Sequence, residues 1–186
     1  MENNLRFIAS SEFGLDEDAL IFASIAPRLE HLQRLRLADV FCDTPIYNAH
    51  TLGCDALFLG VPMVSLLSDE NSGTRDDGYP LDKLASRVGG SLLKAAGIEN
   101  FIVPSLQEYE KLLIRCALDS EWFDGIKDQL ESSRLTNSLL FDTKRWVQNF
   151  EKGIIEACSC HSSDEPCEDI FVIDDDAKFK CKENTF

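Results

Sequence analysis

The chain has 186 residues, with 33 Asp and Glu against 18 Lys and Arg, a formal charge of −15. That length suits one domain or little more and excludes a large multidomain enzyme for the polypeptide as it stands. Hydrophobic residues make up 44%, which excludes wholesale disorder, and the acidic balance argues against nucleic acid or an anionic membrane surface as partner, since both need a basic face.

No apolar run approaches the ~20 residues that span a bilayer, and the first ten residues carry no signal-peptide pattern, so an intracellular protein is expected. The seven Cys are odd in number and irregular in spacing, and are expected as reduced thiols.

Short apolar runs alternate with helical patterns. Residues 19–24 (ALIFAS) suit a buried strand, being too short for a buried helix. Pro27 then fits the start of a helix over 28–37, where its missing N–H costs nothing. Residues 40–43 (VFCD) are a second strand, and Thr44, Pro45 and Asn48 break the chain after it. A helix over 51–59 is ended by Gly60 and Pro62, and 62–66 (PMVSL) is a third strand. Residues 67–79 read as a loop, 81–96 as a helix stopped by Gly97, and 100–103 as a fourth strand. Helices are expected over 106–118, 121–132 and 141–158. From 156 to 186 nine acids face three Lys, with no helical period, so this tail is expected to be mostly disordered.

Strands separated by helices imply an α/β fold with a parallel sheet covered by helices, and ligands in such folds bind beyond the carboxyl ends of the strands. Two constellations fall there. Arg28, His31 and Arg34 are spaced to lie along one side of a helix start, which suits a flat base and an anion; a solvated face with an ordinary exposed His fits the spacing as well or better. The run Asn48-Ala49-His50-Thr51-Leu52-Gly53-Cys54-Asp55 sits where a loop enters a helix. Free N–H groups and the positive end of the helix dipole suit a phosphate, Thr51 adds a hydroxyl, and Asp55 one turn on can accept from ribose hydroxyls. Plain capping by Thr51 or Asn48 fits equally. Neither a P-loop nor GxGxxG is present. Cys158, Cys160, His161 and Cys167 lack the two-knuckle spacing of a zinc site, so no metal is expected. Cys42 and Cys54 read as core.

The run LADVFCDTPIYNAHTLGCDALFLGVPMVSL followed by KLASRVGGSLLKAAG resembles the C-terminal catalytic lobe of protein O-GlcNAc transferases. IFASIAPRLEHLQR before it, and SLQEYEKLLIRCALD with SLLFDTKRW after it, extend the resemblance over about 13–155. These are two-lobed GT-B glycosyltransferases that move N-acetylglucosamine from UDP-GlcNAc to Ser/Thr hydroxyls of nuclear and cytoplasmic proteins. The resemblance therefore implies part of a Rossmann-like lobe, UDP-GlcNAc as donor, intracellular protein acceptors, and no cofactor or metal. By position, Ala26 resembles the residue whose backbone meets the uracil. Arg28 stands for a family Lys beside the base, His31 for a His stacked near it, and Arg34 for a basic position on the same helix. His50 and Thr51 resemble the start of a phosphate-binding His-Thr-Thr turn, with Leu52 in place of the second Thr, and Asp55 resembles the ribose-binding Asp.

Lys→Arg at position 28 keeps charge but not shape. Leu52 leaves only a backbone N–H to the diphosphate, so weakened binding is expected. Residues 68–82 are an insertion relative to the family. Residues 1–12 are expected to be a disordered or remnant N-terminus, 13–155 an incomplete C-terminal lobe, and 156–186 the acidic tail. The family's tetratricopeptide repeats, its N-terminal catalytic lobe and the first two strands of this lobe have no counterpart. In the order 3-2-1-4-5-6, residues 19–24 would be strand three, separated by a gap from strands four to six. The chain alone is thus expected neither to fold stably nor to transfer sugar. The alternative is a non-catalytic UDP-binding or protein-interaction fragment.

Overall fold

The computed structural model describes residues 1–67, 83–136, 138–162 and 170–172. The expected insertion at 68–82 and most of the tail beyond 162 lie outside them.

Three short strands run parallel in the order β1-β2-β3: β1 (Phe41–Cys42), β2 (Met63–Leu66) and β3 (Ile102–Val103). Phe41 is opposite Met63 and Cys42 opposite Val64; Ser65 is opposite Ile102 and Leu66 opposite Val103. All four residues of β2 are buried, as a strand paired on both edges and covered by helices must be. The crossovers are α3 (Thr51–Phe58) between β1 and β2, and α4 (Val88–Ala96) between β2 and β3. α5 (Leu106–Leu118) and α6 (Ser120–Thr136) follow and pack together, with α5 also against β2. Leu57, Met63, Leu66, Leu93, Ile98 and Phe101 are all but inaccessible and form the centre of the core. The Trp122 ring lies parallel to Phe101, with centroids 5.8 Å apart, and closes that core from α6.

The punctuation works as its chemistry dictates. Gly60 (φ 80°) ends the turn after α3, and Val61 and Pro62 then lead into β2. Gly97 (φ 80°) ends α4, and Ile98 N–H turns back to the Leu93 carbonyl at 3.1 Å, a closure that needs a left-handed residue. The Ser105 hydroxyl caps α5 by accepting from Glu108 N–H at 3.2 Å.

Three expectations are corrected. Residues 19–24 form no strand: a short 3₁₀ turn (Glu17–Ala19) gives way to chain outside regular structure, with Ile21 and Ile25 exposed. A strand exists only through a ladder partner, and this segment pairs with none of the three described strands. Of the two expectations for residues 1–12, disordered or remnant, the first does not hold, since α1 spans Glu2–Phe13 and is closed by Gly14 at φ 64°. α7 spans Thr143–Ser162, so the first residues assigned to the tail are helical. Among the described residues, no helix is long and apolar enough to cross a membrane.

Candidate functional site

The site is built at the carboxyl end of β1, where α2 (Arg28–Leu35) and α3 begin. Pro27 stands at the N-cap of α2 with φ −55°, and its carbonyl accepts the first helical bond, from His31 N–H at 2.9 Å. That start places Arg28 and His31 one turn apart on a single side. Arg28 reaches across to α3: its Nη2 is 2.9 Å from Asp55 Oδ1 and its Nη1 3.3 Å from Oδ2. This two-bonded fork brings the starts of the two helices together. Arg34 instead donates to the Ser24 carbonyl at 3.0 Å and ties the preceding chain to α2. Ala26 is half-buried just ahead of the helix.

His50 is the N-cap residue of α3, and the first helical bond runs from Cys54 N–H to its carbonyl at 3.1 Å. The N–H groups of Thr51, Leu52 and Gly53 therefore precede the intrahelical ladder and face outward at the positive end of the dipole. The His50 side chain does not cap them. The capping alternative is thus not realised: Thr51 is exposed, and Asn48 turns its amide elsewhere. The Nε2 atoms of His31 and His50 are both buried and have no hydrogen-bond partner among the described residues. A buried imidazole nitrogen left unpaired is costly. Tyr47 stacks on His50 at 4.8 Å between centroids. Asp43, Tyr47, Asn48, His50, Thr51 and Leu52 are among the residues that line a cleft of about 420 Å³, whereas Arg28, His31 and Asp55 do not line it.

Sequence reasoning missed the roles of Asp43, Ser65 and Tyr109 at this cleft, and the partners of Asn48. Asp43, 4% exposed at the end of β1, accepts at Oδ1 from Thr44 N–H (2.9 Å) and Ala49 N–H (2.6 Å). Its Oδ2 accepts from the Ser65 hydroxyl at 2.6 Å. Burial pushes the Asp43 carboxyl up from its ordinary value, and the bonds from Ser65, Ala49 and Thr44 pull it partly back. The Tyr109 hydroxyl donates to the Asp43 carbonyl at 2.9 Å, and burial raises its own ionisation. Asn48, 1% exposed, donates from Nδ2 to the Thr44 carbonyl (2.9 Å) and accepts at Oδ1 from Gly89 N–H (3.0 Å). The available signal was a polar residue closing an apolar strand, a place where α/β folds gather function.

Cys42 is exposed rather than core, because β1 is an edge strand. Cys54 is half-buried, and burial with the neighbouring Asp55 charge raises its thiol. Among the described residues, no three or more His, Cys, Asp or Glu gather as a metal set would.

Residues 1–150 match the family described as glycosyl transferase family 41. The chain is 38% identical over 185 residues to a probable UDP-N-acetylglucosamine–peptide N-acetylglucosaminyltransferase, SEC, of Arabidopsis thaliana, covering 94% of this chain and 18% of that protein. It is 33% identical over 159 residues to the UDP-N-acetylglucosamine–peptide N-acetylglucosaminyltransferase of Caenorhabditis elegans, covering 86% of this chain and 13% of that one. In structure it is similar to a mutant O-GlcNAc transferase of Thermobaculum terrenum, with a TM-score of 0.64 and 23% identity, over 86% of this chain and 29% of that one. The likeness in structure carries the fold, part of a GT-B lobe. The chain thus spans less than a fifth of the length of these two curated relatives. By the family match and by identity over nearly its whole length, the chain belongs to glycosyl transferase family 41.

Proposed function

We propose that this chain is the nucleotide-binding part of a protein O-GlcNAc transferase, holding the UDP of UDP-GlcNAc between α2 and α3. The observation that carries the reading is the Arg28–Asp55 fork, which joins two helix starts that each present a buried, unpartnered His nitrogen. The uracil lies along Ala26, Arg28 and His31. Asp55 accepts from the ribose hydroxyls. The diphosphate meets His50, the Thr51 hydroxyl and the backbone N–H groups of Thr51 and Leu52.

In an inverting transfer the acceptor Ser/Thr hydroxyl attacks the anomeric carbon and UDP leaves. Negative charge then grows on the diphosphate, where preoriented N–H donors and the helix dipole stabilise it more than they stabilise the bound donor. Such a site needs no metal. This chain is one part of the transferase, which in full length acts on cytoplasmic and nuclear proteins.

Calorimetric titration of the chain with UDP and with UDP-GlcNAc tests the reading, beside Asp55→Ala and His31→Ala. Binding that weakens in both variants is expected. A folded chain that takes up neither ligand contradicts it and favours a protein-interaction fragment.

A further inference from the structure

We infer that Asp43 is a positioning residue, which sets the turn carrying His50, Thr51 and Leu52 by holding both ends of the loop 44–49. The inference rests on the proposed UDP site and adds a residue to it. One carboxylate oxygen, Oδ1, accepts from Thr44 N–H at 2.9 Å and from Ala49 N–H at 2.6 Å, so the first and last residues of the loop are pinned to a single atom. Ala49 directly precedes His50. The position of that N–H therefore sets where the imidazole and the start of α3 stand.

The post is itself immobilised from three directions. Asp43 N–H donates to the Val64 carbonyl at 3.0 Å, and the Ser65 hydroxyl donates to Oδ2 at 2.6 Å, which fixes the residue to β2. The Tyr109 hydroxyl on α5 donates to its carbonyl at 2.9 Å. From the third side, Gly89 at the start of α4 comes so close that a Cβ there would overlap both Ser65 Oγ and Asp43 Oδ2. The same helix start bonds to Asn48, whose own N–H donates to the Ala85 carbonyl at 2.8 Å. A loop end held to one buried, charge-bearing acceptor is a preorganised support for its neighbours. Asp43 is 4% exposed and acts through the Ala49 N–H that it holds.

Amide hydrogen exchange and UDP titration on the full chain test this, with Asp43→Ala and Asp43→Asn. In the native chain, Ala49 N–H is expected to be protected. In Asp43→Ala that protection falls by about tenfold or more, and UDP affinity falls by a similar factor. Ile98 N–H, bonded to Leu93 in the core, stays protected in the same variant. Asp43→Asn keeps an oxygen that can accept from both N–H groups and restores most of the protection and of the affinity. Ala49 equally protected in Asp43→Ala, or unprotected in the native chain, overturns the inference whether or not UDP binds. UDP affinity unchanged while Ala49 is released overturns it too. A native chain that protects Ala49 through Asp43 yet binds no UDP removes the proposed nucleotide site, and with it any role for Asp43 beyond holding the loop.

Discussion

Arg28 in the first turn of α2 and Asp55 in α3 are 27 residues apart in sequence and share a two-bonded ion pair, at 2.9 and 3.3 Å. The guanidinium is 67% exposed and the carboxylate 11%. That asymmetry separates the roles of the two residues. Solvent screens the pair from the Arg28 side, so its net contribution to stability is at most about 1 kcal/mol. The carboxylate is held in one orientation, with lone pairs left for other donors.

Arg28→Ala is therefore expected to shift the urea unfolding free energy by no more than ~1 kcal/mol. Asp55→Ala is expected to weaken UDP by about tenfold, the scale of a hydrogen bond to a charged group. Urea melts and UDP titrations check both. Equal UDP affinity with and without the Asp55 carboxylate would remove the ribose role.

Leu52 is 48% exposed in the first turn of α3 and offers the site only its N–H. Leu52→Thr adds a hydroxyl beside that of Thr51. UDP affinity is expected to rise by roughly fivefold, near 1 kcal/mol for one added hydrogen bond. Calorimetry reads this directly, and a variant that binds no tighter would place the diphosphate elsewhere.

Asp43 ties stability to pH in an unusual direction. Its folded value is raised above the ordinary 3.8, chiefly by burial. Between the two values the folded chain binds more protons at this site than the unfolded chain. The contribution is complete below 3.8 and is lost as pH rises through the raised value. The stability of the native chain relative to Asp43→Asn is therefore expected to fall as pH climbs above 3.8. Urea midpoints of the two proteins across that range check the sign; a difference that grows with pH contradicts it.

Gly89 is expected to tolerate no side chain, because a Cβ would overlap Ser65 Oγ and Asp43 Oδ2 and both belong to buried, bonded groups. Gly89→Ala is expected to cost about 1–3 kcal/mol, the usual range for overpacking. Thermal or urea denaturation measures it. An unperturbed Gly89→Ala would show that α4 stands further from β2 than described.

The strands and helices around β2 were legible because apolar runs, glycines and prolines carry their own local reasons. Gly60, Pro62 and Gly97 end elements by backbone geometry alone, and 106–118 was read at the bounds that Leu106–Leu118 occupies. Residues 19–24 misled because their pattern encodes burial, whereas a strand also needs a neighbour to pair with. The spacing of Arg28 and His31 gave a shared helix side, but no local rule shows that Arg28 meets Asp55, which depends on how α2 lies against α3. Asp43, Asn48 and Gly89 were hidden for the same reason. Asp43 closes a predicted strand, Asn48 stands in a turn and Gly89 in a helical pattern, and their connection arises only when the ends of β1, β2 and the start of α4 converge.

The most direct measurement is a UDP titration of the isotope-labelled chain, followed through its backbone amide resonances. Shifts are expected to concentrate at residues 26–31 and 50–55, with Thr51 and Leu52 among the largest, while α5 and α6 stay still. Shifts centred on α5 and α6, or none at saturating UDP in a folded chain, would contradict it.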